Sequence, residues 1–525
     1  MRKFRSRIRR RILTLGDWRG LSGTFTPRPD EMAPGLRADG TLKTGRLAGM
    51  GMGTAIWVLC WPILIESFLN SFVGLVDTML SAQLGVPETD AVGSAAYILW
   101  FMGLIMMAIS VGTTALVSRS IGRGRLAVAN AAVGQSLLLA VTLGTIVAVV
   151  FAGVAPHIAG ALTKSQAGAD AFTAYLQIVA AGTPFMAVLM AGIASLRGAG
   201  DSIRPLWAMV IVNVVNIVIS WSLCGEDLSR LVTHDGVGTT EVLLRNPFPF
   251  DLGVLGIAWG TVIANAVGCL IVLGLLVRGA GGVQLRRRRL RAHWHTMRRL
   301  VRVGLPNFFE TFGMWVGNFL VFAFVINLSQ TDGIAGAHML AIRIEAFSFM
   351  PGFAMSLAAA TLAGQYLGAG SPRMARLAVV WCAMIAAVVM GSLGIMFITI
   401  PEQLVALLSS QPEHMEVVPG VLRIAGLVQV PFALAIVVRG ALRGVGDMKV
   451  VFVITWATTY LLRLPLAYVF SGVDMPLPDG TVLENPFRDE PSLRWLWVGL
   501  SIELLLRGVL FVSRFVQGGW TKSRV

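Results

Sequence analysis

Apolar runs such as 136–154 and 378–400 set the terms for this chain, because water cannot be their solvent. Over 525 residues, 55% of the side chains are hydrophobic and 14% charged, with a mean hydropathy of +0.73. A water-soluble fold of this size cannot hide that much apolar surface, so lipid is the expected environment. In lipid every backbone N–H and C=O must pair internally, which leaves helices or closed barrels. The runs are too long for barrel strands and lack strict alternation, so the expected fold is an all-α integral membrane protein. Twelve spans follow, at about 50–82, 92–118, 131–155, 170–194, 205–224, 253–278, 299–328, 335–362, 377–400, 416–438, 449–470 and 493–517.

The spans form two copies of one unit. Leu196-Arg197-Gly198-Ala199-Gly200-Asp201 returns as Leu442-Arg443-Gly444-Val445-Gly446-Asp447, an offset of 246. Trp61-Pro62 through Glu66-Ser67 is echoed by Leu305-Pro306 through Glu310-Thr311, and Ile121-Gly122-Arg123-Gly124 by Leu367-Gly368-Ala369-Gly370. Six spans per copy make the copies parallel, related by a pseudo-two-fold axis along the membrane normal. The expected organisation is a basic tail (1–48), a six-helix lobe (49–278), a basic linker (279–298), a second six-helix lobe (299–517) and a short C-terminal tail (518–525). Duplicated halves are a common plan for transporters, with the substrate path between them.

Charge gives orientation. The net charge of +15 is concentrated in alternate loops, those of Arg119 to Arg125, Arg197 and Arg204, Arg286 to Arg299, and Arg373 and Arg376. The opposite loops are acidic, among them 225–252 and 471–492, each of which contains Asn-Pro-Phe. Positive loops stay in the cytoplasm, so both termini are expected there, in a multi-pass protein of the cell (inner or plasma) membrane. The same pattern speaks against a nucleic-acid partner. Membrane lipids are the expected surroundings and a monomer the expected state. The first 46 residues lack a signal-peptide core. Phe4, Ile8, Ile12 and Leu15 at helical spacing fit a basic helix on anionic lipid, or simply a disordered tail that helps fix orientation.

Polar side chains inside spans mark candidate sites, because each is costly in lipid. The first span carries Glu66, Asn70 and Asp77 on one helical face, with the carboxylates about 16 Å apart along the axis. That stripe fits a water-lined cleft, or a helix whose Asp77 caps the outer end. Asn213, Asn216 and Ser220 share a face of the fifth span, as binding groups or as amides packing helices together. The seventh span carries Asn307 and Glu310, the eighth His338, Arg343 and Glu345. Glu66 and Glu310 each follow a proline by four residues, where a kink is expected. Glu503 and Arg507 at i, i+4 suit a structural ion pair. The Leu-Arg-Gly-x-Gly-Asp segments read as tight turns, since a phosphate loop needs other spacing and a lysine. The four cysteines lie singly, without metal-ligand spacing. None of the six histidines forms a ligand pair on a helix face, so an intramembrane enzyme lacks its constellation.

Together, Pro62 through Leu75-Val76-Asp77-Thr78, the two Leu-Arg-Gly-x-Gly-Asp segments, Asn213 to Asn216, and Ala360 to Gln365 running into Leu367-Gly368-Ala369-Gly370 resemble the multidrug and toxic compound extrusion (MATE) transporters. The resemblance covers roughly 50–517. It implies two six-helix lobes around a cleft and export of small-molecule organic cations in antiport with H+ or Na+, with no cofactor. It assigns cation coupling to Asp77, a sodium site if Na+ is the ion, with Asn213 and Asn216 beside it. The cleft acids and amide would then be Glu66, Asn70, Glu310 and Glu345. The chain departs from the family's branches at Ser220 and Met314, where other members carry acids, and at Pro431-Phe432. A lipid-linked oligosaccharide flippase of the same superfamily is the alternative, with Arg343, Arg423 and Arg463 as the groups that would grip a pyrophosphate.

Overall fold

Helical spans occupy most of a computed structural model of the chain. It describes residues 33–523 except 85, 164, 235–236, 249, 287, 289, 329–332, 410, 477–481 and 486–489. Helices α1 (Met52–Leu84), α2 (Val86–Gly122), α3 (Leu126–Leu162), α4 (Gln166–Gly198), α5 (Ile203–Cys224) and α6 (Val254–Val277) form the first copy. The second has α7 (Trp294–Asn327), α8 (Ile334–Gly368), α9 (Pro372–Thr399), α10 (Pro412–Leu427), α11 (Gln429–Gly444), α12 (Met448–Ser471) and α13 (Leu493–Gln517). Among the described residues eleven helices are long and apolar enough to cross a bilayer. The tenth span is the exception: α10 and α11 meet at Val428 with a 58° bend, and together they make the twelfth crossing.

The all-α expectation needs one addition. Each of the two acidic outer loops folds as an antiparallel hairpin, β1 (Leu228–His234) with β2 (Val237–Leu244), and β3 (Met475–Pro476) with β4 (Val482–Leu483). One asparagine anchors each hairpin to the preceding helix. Asn246 donates its N–H to Asp227 Oδ1 (2.7 Å) and its Nδ2 to the Trp221 carbonyl (2.7 Å), and its Oδ1 accepts from the Phe248 N–H (3.0 Å). Asn485 does the same toward Asp474 (2.7 Å) and Tyr468 (2.7 Å). The shared Asn-Pro-Phe is thus a structural stitch repeated in both copies.

The chain divides into two compact units, at Cys60/Trp61 within α1 and Gly304/Leu305 within α7, each just before that helix's proline. The expected lobes begin instead at the helix starts. In the unit 61–121 with 125–304, α4 packs on α3 and α6, and α5 packs on α6. The other unit, which among the described residues also contains 33–60 and the Gly122–Gly124 turn, repeats that scheme. There α9 packs on α11, α11 on α13, and α12 on α13. Close approach of α5 and α6 depends on small residues, since a Cβ at Gly260 would stand 2.1 Å from Ser220 Oγ.

Two basic segments that read as tail and linker are ordered. Residues 33–50 form a compact segment in which Leu36, Leu42 and Leu47 are buried, each stabilising it by roughly 1.5–3 kcal/mol. The helical spacing noted at Phe4 to Leu15 lies outside the described residues. In the linker, Gln284 N–H donates to Asn130 Oδ1 (2.8 Å), and Gln135 holds both the Arg291 carbonyl and the His293 N–H (2.8 Å each).

Candidate functional site

The polar face of α1 serves two different purposes along its length. At the lower turn Glu66 is buried and ion-paired with Arg197, the arginine of the first Leu-Arg-Gly-x-Gly-Asp segment. The second copy builds the same pair more heavily. Glu310 is fully buried, and Arg443 of the second segment donates to its Oε2 at 2.6 and 3.0 Å. Its Oε1 receives the Thr455 hydroxyl (2.9 Å) and lies 2.9 Å from Arg439 Nε. A buried carboxylate is stable only if paired and hydrogen-bonded, and Glu310 meets both conditions. Neither Glu66 nor Glu310 therefore stands as a free acid. They fasten a proline-containing helix to the turn after the fourth or tenth span.

The aspartates of those turns are used as well. Asp201 pairs with Arg204 (2.9 Å), and Asp447 pairs with Arg514 of α13 (2.8 Å). The tight-turn reading of the motif holds, and its arginines have partners that spacing alone left unassigned. The signal was present: Glu66 and Arg197 recur as Glu310 and Arg443 at offsets of 244 and 246.

Further along α1 the polar face changes character. Asn70 Oδ1 accepts from Asn213 Nδ2 (3.3 Å), tying α1 to α5. Asn216, one turn up α5, donates to Thr261 Oγ1 on α6 (3.3 Å), and Ser220 donates to the Ile257 carbonyl (3.5 Å). Seven residues beyond Asn70, on the same face, Asp77 is half-buried and close enough to Tyr175 of α4 to act on it electrostatically. Among the described residues Asp77 makes no ion pair, and its Oδ1 is sealed from solvent without a hydrogen-bond donor. The Asn216 Oδ1 is also buried without a donor. Buried acceptors are paired in the great majority of cases, and these two oxygens are exceptions in the same helical unit. Their hard carboxylate and carboxamide oxygens suit H+ or Na+. No group of three or more His, Cys, Asp or Glu side chains among the described residues could hold a metal ion.

Glu345 belongs to a separate constellation in the other unit. Its Oε1 lies 3.5 Å from Gln429 Nε2, and Gln429 Oε1 accepts from Ser348 (2.7 Å). Gln429 opens α11 at the bend of the tenth span, and Arg463 ends a π-helical turn, Thr459–Arg463, within α12. Glu503 and Arg507 form their expected pair at 2.7 Å, and Arg507 also donates to Thr458 and Thr459 (3.0 Å each). His338 accepts from Trp497 Nε1 (3.0 Å), a packing role. Of the arginines weighed as pyrophosphate ligands, Arg423 pairs with Glu402 (2.5 Å), Arg343 is exposed, and Arg463 lies within the field of Glu345 and Glu503.

Comparison with known proteins fits these observations. The MatE family profile matches residues 62–222 and 306–469, once in each copy. The chain is 25% identical over 473 residues to the "Probable multidrug resistance protein NorM" of Thermotoga maritima, covering 89% of this chain and 93% of that one. It is also 25% identical over 468 residues to the "Multidrug resistance protein PmpM" of Pseudomonas aeruginosa, covering 87% and 90%. Among solved structures, an outward-facing multidrug resistance MATE family transporter superposes with a TM-score of 0.77 at 20% identity, covering 90% of this chain and 97% of that one. A MOP superfamily transporter from Pyrococcus furiosus gives 0.77 at 19% identity, with the same coverage. Eleven unbroken spans and a bent twelfth, the duplicated helix pairing and a profile match in each copy lead to one assignment: the chain is a multi-pass membrane protein of the MatE transporter family, and not an enzyme.

Proposed function

We propose that the protein exports amphipathic organic cations in exchange for H+ or Na+ by alternating access, with Asp77 as the coupling carboxylate. The observation that carries the proposal is the contrast along α1: Glu66 is neutralised by Arg197, whereas Asp77 keeps a buried oxygen without a donor. A carboxylate held that way binds a cation more strongly than one in water, because its negative charge lacks compensation. Asn213 and Asn216 line the same helix bundle, Asn216 offering its own undonated oxygen and Asn213 fixing the position of Asn70. Cargo and coupling cation then exclude each other through Asp77, which makes transport an exchange. The relatives named for multidrug resistance support drug-like cargo.

Glu66 and Glu310 serve in this account as clamps for the cytoplasmic turns and not as cargo ligands. Glu345, with Gln429 at the bend, is the remaining acid of the cargo path. The arginine-rich loops support a topology with both termini on the cytoplasmic side of the inner or plasma membrane, and a monomer is the state this reading takes. The test is ethidium efflux from proteoliposomes under an imposed pH or sodium gradient. Asp77→Asn is expected to reduce it to background with insertion intact, and the gradient that drives the unaltered protein identifies the ion. Undiminished efflux by the variant under both gradients would remove Asp77 from this role.

A further inference from the structure

Between Asp251 and Glu310 the chain carries nine arginines and no acid. Five of them, Arg286, Arg288, Arg291, Arg298 and Arg302, are exposed. Among the described residues none of these five is in an ion pair. The stretch is not a loose tether. Asn130 and Gln135 of α3 clamp its backbone at Gln284, Arg291 and His293, all within one compact unit. Helix α7 then begins at Trp294 with two opposed faces. At about 100° per residue, Thr296, Leu300 and Val303 fall together, and all three are buried. That face lies over α2 of the same unit. A Cβ at Gly112 would stand 2.8 Å from the Leu300 carbonyl oxygen, and one at Gly304 2.6 Å from that of Ala108. Trp294, Arg298, Val301 and Arg302 fall on the opposite face within an arc of roughly 100°. All four are exposed, Trp294 at 76%.

Helix length puts this face at the membrane surface. The 34 residues of α7 make about 51 Å of helix, against about 30 Å of hydrocarbon. The far end stays apolar through Val325 and Ile326, so the surplus lies at the arginine end. Tryptophan suits the headgroup layer, because its ring is apolar and its N–H polar. A guanidinium can grip two phosphate oxygens at once.

We propose that the outward face of the first turns of α7, with the clamped linker before it, is a binding site for an anionic phospholipid. Arg298 and Arg302, one turn apart and about 6 Å along the axis, hold the headgroup phosphate. Arg291 adds a positive charge from the linker, and Trp294 and Val301 lie against the upper acyl chain. Because α3 already holds the linker backbone, binding has little chain left to order. A zwitterionic lipid brings an ammonium group beside its phosphate, which the arginines repel, so the surface favours headgroups of net negative charge. A polyanion in water would leave Trp294 and Val301 without a partner, whereas a lipid meets both the charge and the apolar side chains. The site is independent of Asp77 and of any exchange at it.

Contact with each kind of lipid can be read directly. Val301 is 41% exposed between two of the arginines and the native cysteines are all buried, so Val301→Cys accepts an NBD fluorophore at the site. The labelled protein is placed in phosphatidylcholine nanodiscs with a small fraction of nitroxide-labelled phosphatidylglycerol, or the same fraction of nitroxide-labelled phosphatidylcholine. Phosphatidylglycerol is expected to quench about three-fold more strongly, and added salt to narrow the difference. With Arg298→Gln and Arg302→Gln together, the two lipids are expected to quench alike. Arg291→Gln is expected to weaken the preference in the same direction and serves if the double variant does not fold. Equal quenching by both lipids before any arginine is changed would overturn the proposal. A preference that persists in the arginine variants would overturn it too, by assigning the enrichment to some other part of the protein.

Discussion

A carboxylate inside a bilayer is defined by what neutralises it, and among the described residues of the spans Glu66, Glu310 and Glu503 are neutralised by arginine. Glu310 has the most to lose: Glu310→Gln leaves Arg439 and Arg443 charged in a buried site, an expected cost of about 3–5 kcal/mol. A clear fall in the thermal midpoint of the purified protein checks this, and an unchanged midpoint would contradict the clamp. Glu66→Gln is expected to cost less, because the Glu66 and Arg197 side chains keep 11% and 16% of their accessibility. In the segment 33–50, the hydroxyl and N–H of Thr41 hold Asp39 below its ordinary 3.8. A lowered folded-state pKa means stability that is present above the ordinary value and lost as pH falls through the folded value. Protection of Leu42→Cys from maleimide is therefore expected to be level across roughly pH 5–8 and to fail only in stronger acid. A loss of protection near neutrality would assign the pH dependence to another group.

At the scale of elements, each copy carries the same devices, and the sequence disclosed some and concealed others. The spans were legible because lipid imposes length and apolarity on them directly. The bend between α10 and α11 had a signal that length and apolarity masked: Gly426 and Pro431 flank Val428, and Pro431 has no N–H to offer the Leu427 carbonyl. The hairpins were hidden as well: β3 and β4 are two residues each, too short for alternation to register. Repetition was the better guide there, since Asn-Pro-Phe in both loops marked the stitch before its bonds were known. Asn246→Ala or Asn485→Ala removes the side-chain hydrogen bonds, from Nδ2 to the Trp221 and Glu226 carbonyls or to the Tyr468 and Val473 carbonyls, and is expected to speed proteolysis within that hairpin alone, with the helices and transport intact. Cleavage that spread into the spans would show that the hairpin supports the bundle. Among site residues, Asp77, Asn213 and Asn216 could be picked out by face and spacing. The partners of Glu66 and Glu310 could not, because a contact between residues more than a hundred positions apart has no local signature.

For the whole molecule, family membership fixes transport as the activity, and the proposal above makes that transport an exchange at the unpaired Asp77. If one carboxylate holds either the coupling cation or the cargo, binding one must release the other, and this coupling is measurable without a gradient or a second compartment. The most direct measurement adds ethidium to the purified protein in weakly buffered detergent solution and follows proton release with a pH indicator, or loss of bound radioactive sodium. The account predicts release on ethidium binding by the unaltered protein and none by Asp77→Asn, with the hairpin variant Asn485→Ala retaining it. Equal release by Asp77→Asn and the unaltered protein would contradict the assignment of coupling to Asp77.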